Sequence, residues 1–217
     1  MNITILGTGN MAQGLASVFA KAGYTVTLGS RDAAKAKDIA KLLGASVTAE
    51  TVPAAAAKSD IIFLAVPFSA AADTIKAAGG LAGKTLVDIS NPLTADYMGL
   101  TIGHETSAAE EIQKLAPKAK VVKAFNTIFA SLFKADGKVG KTPATVFIAG
   151  DDEAANKAVE AIAAKAGFAT IQSGGLRVAR YLEPVAGLNI VLGYGKGHGT
   201  DIAPTWLLAA RSPALYI

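Results

Sequence analysis

The sequence predicts a doubly wound α/β fold with a mostly parallel sheet and a small C-terminal extension. Three observations point there. Short β-rich runs alternate with longer, alanine-rich amphipathic runs along the chain. Several of the short runs, such as "IIFLAV" and "TVFIA", are apolar at every position, as strands covered by helices on both faces are. The first run passes directly into a glycine-rich turn that opens a helix.

The elements follow in order. "ITIL" forms a strand over 3–6, and the alanine-rich stretch after its glycine turn forms a helix over 11–22. "TVTL" gives the second strand over 25–28, and "AAKAKDIAKLL" a helix over 33–43, with Asp32 placed as its N-cap. A third strand over 46–48 is followed by a short helix over 52–57. Strands over 61–65, 85–88 and 121–124 alternate with helices over 70–78 and 108–115. The last part holds strands over 145–149 and 169–172, with helices over 153–166 and 177–192. Crossovers between the parallel strands are expected to be right-handed. Two stretches fit no element, "NPLTADYMGLTIGHETS" (91–107) and the tail from Gly193 onward, and long irregular segments in a compact domain are often functional.

Composition removes several classes of function. The chain has 217 residues, 51% hydrophobic with much alanine, and a net charge of +4. No apolar run reaches the roughly 18–20 residues of a membrane span. The start "MNITILGTGN" lacks a basic region and a cleavage-like site, so no signal peptide is expected, and a cytoplasmic location follows. There is no cysteine and there are only two histidines, His104 and His198, so no metal site is assigned. No basic run interleaved with aromatics points to nucleic acid. The apolar tail needs cover, which a homodimer would supply.

The most informative stretch is "ITILGTGNMAQGLASVFAKAGYTVTLGSR". Gly7 permits the sharp turn, Gly9 lets backbone approach a pyrophosphate, and Ala12 lets the helix press on the strand. The helix N-terminus offers unpaired N–H groups to phosphate. The G-x-G-x-x-A pattern sits after a strand, opens a helix and is followed by a second strand, which is the context a dinucleotide site requires. The second strand ends in Ser30 and Arg31, with Lys35 one helical turn later. A lone carboxylate there would bind the ribose hydroxyls of NAD and repel a 2′-phosphate. A hydroxyl and cations attract that phosphate instead, at roughly 1.5–3 kcal/mol per charge-assisted hydrogen bond. Two such bonds favour NADP by about a hundredfold or more. Asp32 competes as a ribose acid, but capping is the commoner use of an aspartate there.

Three strand ends further along are candidates for the reacting centre. They are Val66-Pro67-Phe68, Ser90-Asn91-Pro92 and Phe125-Asn126-Thr127. Asn91 either hydrogen-bonds a carboxamide or holds its own loop. A dehydrogenase acting on an alcohol positions a His, Lys or Tyr to handle the proton, and no such group is read at these ends. The sequence therefore suits hydride transfer, by positioning alone, to an acceptor that needs little acid–base help, such as a flavin or deazaflavin. No catalytic residue is assigned. The tail "GYGKGHGTDIAPTW" (193–206) could approach a flat ring or dock on a second subunit, and Trp206 could stack or be buried.

The stretches "ILGTGNMAQGLA", "GSRD", "LVDISNP", "ETSAAEEI", "KVVKAFNTI" and "VFIAGDD" resemble the family of NADPH-dependent reductases of coenzyme F420. They are also similar to the cytosolic oxidoreductase domain of the STEAP metalloreductases. The resemblance implies a Rossmann-type NADP-binding domain over 1–150. Residues 151–217 then form a small extension, not independent, that completes a cleft for the second cofactor. It implies hydride transfer between NADP(H) and a small-molecule redox acceptor, coenzyme F420 or FMN/FAD, with ferric iron reduced through flavin left open. It carries Thr8, Asn10, Ser30, Arg31 and Lys35 over as NADP contacts and sets Val66, Pro67 and Asn91 beside the nicotinamide. With Gly7, Gly9 and Met11 of the turn, and Asn126 of the third strand end, these complete the candidate cofactor-binding set. Archaeal members have histidine at the position of Asn126, and STEAP-like members have asparagine. Two alternatives stand beside this reading. One is an enzyme like pyrroline-5-carboxylate reductase, which shares "GxGNMA" and "SR" but has a lysine-containing turn where this chain has "VPF". The other is an NADPH sensor without turnover.

Overall fold

A computed structural model describes residues 1–206. The chain builds β1 (Asn2–Leu6), α1 (Asn10–Lys21), β2 (Thr25–Ser30), α2 (Ala33–Leu43), β3 (Val47–Thr51), α3 (Val52–Ala56) and β4 (Ile61–Leu64). It continues with α4 (Ala71–Ala78), β5 (Thr85–Asp88), α5 (Ala108–Leu115), β6 (Lys120–Lys123), the two-residue strands β7 (Lys138–Val139) and β8 (Thr142–Pro143), β9 (Thr145–Gly150), α6 (Glu153–Lys165), β10 (Ala169–Gly174) and α7 (Ala179–Ile190). The sheet order is β10-β9-β6-β5-β4-β1-β2-β3. Strand order reverses between β1 and β4, which opens a crevice at the carboxyl ends of the strands. The fold is the Rossmann-type α/β architecture that the alternating pattern predicts.

Two departures from a simple doubly wound sheet matter for the site. β9 runs antiparallel to β6, with Val122 opposite Gly150 and Lys123 opposite Ala149. β10 is parallel to β9, so both strands start at the end of the sheet where β1 to β6 finish. The boundary expected at residue 150 thus falls between two paired strands. α6 also contributes Val159, Ile162 and Ala163 to the main core. After β10 the chain leaves the sheet for the last time, through a 3₁₀ turn into α7.

The core has two layers. On one face Phe19, Phe63, Phe125 and Phe168 form a chain of tilted and edge-to-face rings with centroids 5.0–6.0 Å apart, under α1, α2 and α6. On the other, Leu6, Ile62, Leu64 and Leu86 pack against α3, α4 and α5. Every residue of β4 and β5 is buried, which explains the unbroken apolar run of β4 and leaves Asp88 of β5 enclosed.

The last helix, expected over 177–192, is interrupted at both ends. A 3₁₀ turn (Leu176–Val178) precedes α7, and a π turn (Val191–Gly195) follows it. From there the tail crosses the open end of the sheet. Ser131 Oγ donates to the Thr200 carbonyl at 2.8 Å, Thr205 and Thr145 share a hydroxyl hydrogen bond at 2.9 Å, and Trp206 packs edge-on against Phe147 at 5.1 Å. Segment 91–107 is irregular, with a single bridge between Leu93 and Leu100.

Candidate functional site

The turn after β1 has the geometry of a phosphate cradle. Gly7 has φ +130°, and a Cβ there would overlap the Ala65 carbonyl oxygen. Its N–H donates to the Gly29 carbonyl at 2.9 Å, tying the turn to β2. Gly9 is extended, and the space a Cβ would fill is empty to 4 Å. Helix α1 has neither a side-chain cap nor an acid in its first turn. By contrast α2, α5 and α6 are capped by Asp32, Ser107 and Asp152. The positive end of α1 is therefore not offset by a side chain of its own first turn. Thr8 and Met11 are partly buried at this mouth and Asn10 is exposed. The Thr8 carbonyl accepts from Gln13 Nε2 at 2.9 Å, which braces the turn.

At the end of β2 the Ser30 hydroxyl accepts from the Asp32 N–H at 3.1 Å, and Asp32 accepts from the Lys35 N–H at 3.0 Å. The Asp32 carboxylate is thus committed to capping α2. The Ser30 hydroxyl keeps its proton to donate. Arg31 and Lys35 are exposed and form no ion pair among the described residues. One hydroxyl and two cations thus stand at the end of β2 and the first turn of α2.

On the other side of the crevice, Val66 is partly buried and Pro67 exposed just after β4. Asn91 and Asn126 clasp each other. Asn126 Nδ2 donates to Asn91 Oδ1 at 3.0 Å, and Asn91 Nδ2 donates to the Asn126 carbonyl at 2.8 Å. Asn126 Nδ2 also donates to the Leu182 carbonyl at 2.9 Å, joining both loops to α7. Its Oδ1 is buried without a partner. Asn91 thus holds loops together, with one Oδ1 lone pair and one Nδ2 hydrogen left over. The preceding Phe125 has φ +61°, rare for a bulky residue, and its ring is locked in the aromatic core. That turn drives Phe125 inward and leaves Asn126 facing the loop.

A buried charge cluster lies directly beneath these loops. Lys123, at the end of β6, does stand at a strand end, contrary to the expectation that no proton-handling side chain is found there. It is wholly enclosed. Its ammonium donates to Asp88 Oδ2 at 2.7 Å and to the Ser90 carbonyl at 2.6 Å, and pairs with Glu183 Oε1 at 2.7 Å. All three side chains are 0–1% exposed. Asp88 Oδ1 accepts from the Ser90 N–H and hydroxyl at 2.8 and 2.7 Å. Glu183, on α7, accepts from the Ala108 and Ala109 N–H groups at the start of α5 at 2.9 and 3.3 Å. Burial pushes its carboxyl above the ordinary value, opposed by Lys123 and the Ala108 N–H. Asp88 and Lys123 are register partners in neighbouring strands. Their charges, in the otherwise apolar runs "TLVD" and "KVVK", were the signal in the sequence. Glu183 comes from a distant helix and carried none.

The two histidines, His104 and His198, are exposed and far from one another in the chain. No metal-binding group of acids and histidines occurs among the described residues. No described helix is long and apolar enough to cross a membrane. A groove of about 700 Å³ starts at Asn10 and follows α1 past Gln13 and Lys21. Phe129 and Tyr194, edge-on at 5.6 Å, stand on its other wall, with Lys134 further along. The tail thus brings Tyr194 to within one groove of the phosphate turn.

Residues 2–92 match the family described as NADP oxidoreductase, coenzyme F420-dependent. The F420-dependent NADP reductase of Methanothermobacter thermautotrophicus is 34% identical over 209 residues, covering 88% of this chain and 89% of that protein. Metalloreductase STEAP3 of Rattus norvegicus is 34% identical over 183 residues, and this chain spans 36% of its length. A solved structure from Arthrobacter sp. FB24, proposed to be an F420-dependent NADP reductase, superposes with a TM-score of 0.84 at 31% identity, covering 93% of this chain and 96% of that one. A reductive aminase from Aspergillus terreus, solved with NADPH and ethyl levulinate, gives a TM-score of 0.66 at 25% identity, covering 90% of this chain and 62% of that one. A phosphate turn on an uncapped helix, cations at the second strand end and an 89% span of an archaeal reductase agree: the chain is an NADP-dependent oxidoreductase and belongs to the coenzyme F420-dependent NADP oxidoreductase family.

Proposed function

We propose that this chain passes a hydride between NADPH and a planar acceptor of the deazaflavin or flavin class, coenzyme F420 or FMN/FAD. One observation carries the acceptor class. The only acid–base side chains at the described ends of β4, β5 and β6 are Asp88 and Lys123, paired with each other and both sealed at 0% exposure. A carbonyl substrate would need a donor at the crevice, whereas a flavin or deazaflavin ring takes the hydride on its own atoms. The names of the archaeal and Arthrobacter relatives support the same class.

Each part of the crevice has a task in this reading. The N-terminus of α1 and the open space over Gly9 receive the pyrophosphate, with Gly7, Thr8, Asn10 and Met11 around it. Ser30, Arg31 and Lys35 receive the 2′-phosphate. Val66, Pro67 and the Asn91–Asn126 clasp form the nicotinamide side. α7 and the tail, with Tyr194, wall off the acceptor. The chain's own contribution is to bind, align two flat rings and exclude water.

Steady-state oxidation of NADPH with F420, FMN and FAD in parallel tests the proposal. Turnover with at least one is expected, and F420 should be the best. Tight NADPH binding with no turnover of any of the three would identify a nucleotide sensor instead.

A further inference from the structure

We infer that the buried Asp88–Lys123–Glu183 cluster carries a net charge of −1 and biases the bound nicotinamide towards its oxidised, cationic form. The inference rests on the placement of the nicotinamide proposed above.

Hydrogen-bond geometry fixes the charge count. An ammonium has three hydrogens, and Lys123 Nζ faces three acceptors, Asp88 Oδ2, the Ser90 carbonyl and Glu183 Oε1, at 2.6–2.7 Å. Each carboxylate, in turn, is met by donors. Asp88 meets the Lys123 ammonium and the N–H and hydroxyl of Ser90. Glu183 meets the Lys123 ammonium and the N–H groups of Ala108 and Ala109. A protonated Glu183 would find no acceptor for its hydrogen; at Asp88 the Ser90 hydroxyl could accept, but the Ser90 N–H on the same oxygen and the ammonium on the other favour the carboxylate. Two carboxylates and one ammonium leave one negative charge enclosed. The N-terminus of α5 offsets part of it. The nearby Arg180–Glu110 pair, at 2.7 Å, is neutral as a unit.

Position gives that charge a purpose. Asp88 ends β5 and Lys123 ends β6. Ser90–Asn91 and Phe125–Asn126, the loops of the nicotinamide side, follow within three residues. An enclosed ion cluster is a poor way to gain stability, since apolar residues of similar volume serve as well or better. A low-dielectric surround also lets its field reach further than a surface charge would. The nicotinamide is cationic when oxidised and neutral when reduced. A negative charge behind it stabilises NADP⁺ relative to NADPH and so strengthens bound NADPH as a hydride donor.

Calorimetric titration of NADP⁺ and NADPH into wild type and Glu183→Gln tests the inference. The ratio Kd(NADP⁺)/Kd(NADPH) should rise about three- to tenfold in the variant, the effect of one unit charge across a protein-like dielectric. Glu183→Asp, which keeps the charge, should leave the ratio near that of wild type. A purely structural role would weaken both nucleotides alike and leave the ratio unchanged, and that result overturns the inference. Binding of neither nucleotide to wild type would instead remove the proposed function itself. The amide introduced by Glu183→Gln must meet two N–H donors, so circular dichroism should accompany the titration. If the variant does not fold, Asp88→Asn removes the same charge from the β5 side and should shift the ratio the same way. If both variants unfold, the wild-type order decides: tighter binding of NADP⁺ supports the inference, and tighter binding of NADPH refutes it.

Discussion

Lys123→Met should be among the most damaging single changes in this protein, and the structure sets the size. The variant keeps most of the side-chain volume but removes two hydrogen bonds and an ion pair made by one ammonium at 2.6–2.7 Å. It leaves Asp88 and Glu183 facing each other at 0–1% exposure without a counter-ion. Orphaning one side of an enclosed ion pair costs about 3–5 kcal/mol. An independent route agrees. An orphaned carboxylate can escape by taking a proton, and holding a carboxyl neutral at pH 7 costs about 1.4 kcal/mol per pH unit above its ordinary value near 4.3, hence about 4 kcal/mol. Against a typical total of about 5–15 kcal/mol this is a large fraction. The urea midpoint should fall by about 1.5–2 M for a slope of 2–3 kcal/mol/M. The escape route also predicts a sign: the penalty should shrink as pH is lowered towards 5, because the proton becomes cheaper to bind. Urea melts at pH 7 and pH 5 read both quantities. A loss below about 1 kcal/mol at pH 7, or a penalty that grows on acidification, would refute the account of the cluster as a hydrogen-bonded ion triad.

Three further outcomes are expected. Arg31→Ala should weaken NADPH by roughly tenfold to a hundredfold, the loss of one charge-assisted phosphate contact, and hardly change NADH; calorimetry with both nucleotides decides, and unchanged NADPH affinity would remove Arg31 from the phosphate site. Gly14→Ala should destabilise by about 1–3 kcal/mol, because a methyl there runs into the Phe133 ring; in a Phe133→Ala background the same change should instead stabilise by about 0.5–1 kcal/mol through helix propensity, which a double-mutant cycle of urea melts will show. Glu110 is held below the ordinary carboxylate range, first by its hydrogen bond from Arg180 and also by Ser107. Its contribution is therefore fully present above the ordinary glutamate value near 4.3 and is lost as pH falls through its lowered folded value; the stability gap between wild type and Glu110→Gln should be open at pH 7 and close in strong acid.

The framework of the fold was legible because each main strand is a run whose residues have nowhere to go but a core. "IIFL" and "TLVD" are buried at all four positions, and their bounds can be read nearly to the residue. Asp32 could be read as a cap because a short acid before an alanine-rich run has a local use that does not depend on the rest of the chain. Strand direction left no trace. "TVFIAG" has the composition of a parallel strand and yet is antiparallel to β6, since an apolar run says that both faces are covered and not which way the chain points. The candidate phosphate side could be proposed from sequence for the same reason as Asp32: its glycines and its Ser30-Arg31 pair are contiguous with the elements that place them. The other side was not. Asn91 and Asn126 are 35 residues apart and find their function in each other. Lys123 stood in the motif "KVVKAFNTI" without drawing notice, because its partner Glu183 arrives from a helix 60 positions later, and only packing brings the two together.

The π turn at Val191–Gly195 makes the groove wall carrying Tyr194 unusually sensitive to chain length. Its backbone closes across five and six residues, Lys196 N–H to the Val191 carbonyl at 2.9 Å and Gly199 N–H to the Gly193 carbonyl at 3.0 Å. A π turn holds one residue more than the α-helical turn it replaces. Deleting any one of the five would let the coil tighten, swinging everything downstream by about 100° and carrying Tyr194 off Phe129 and Thr200 off Ser131. In a lineage of such chains, that stretch should accept exchanges of side chain more readily than any gain or loss of a residue.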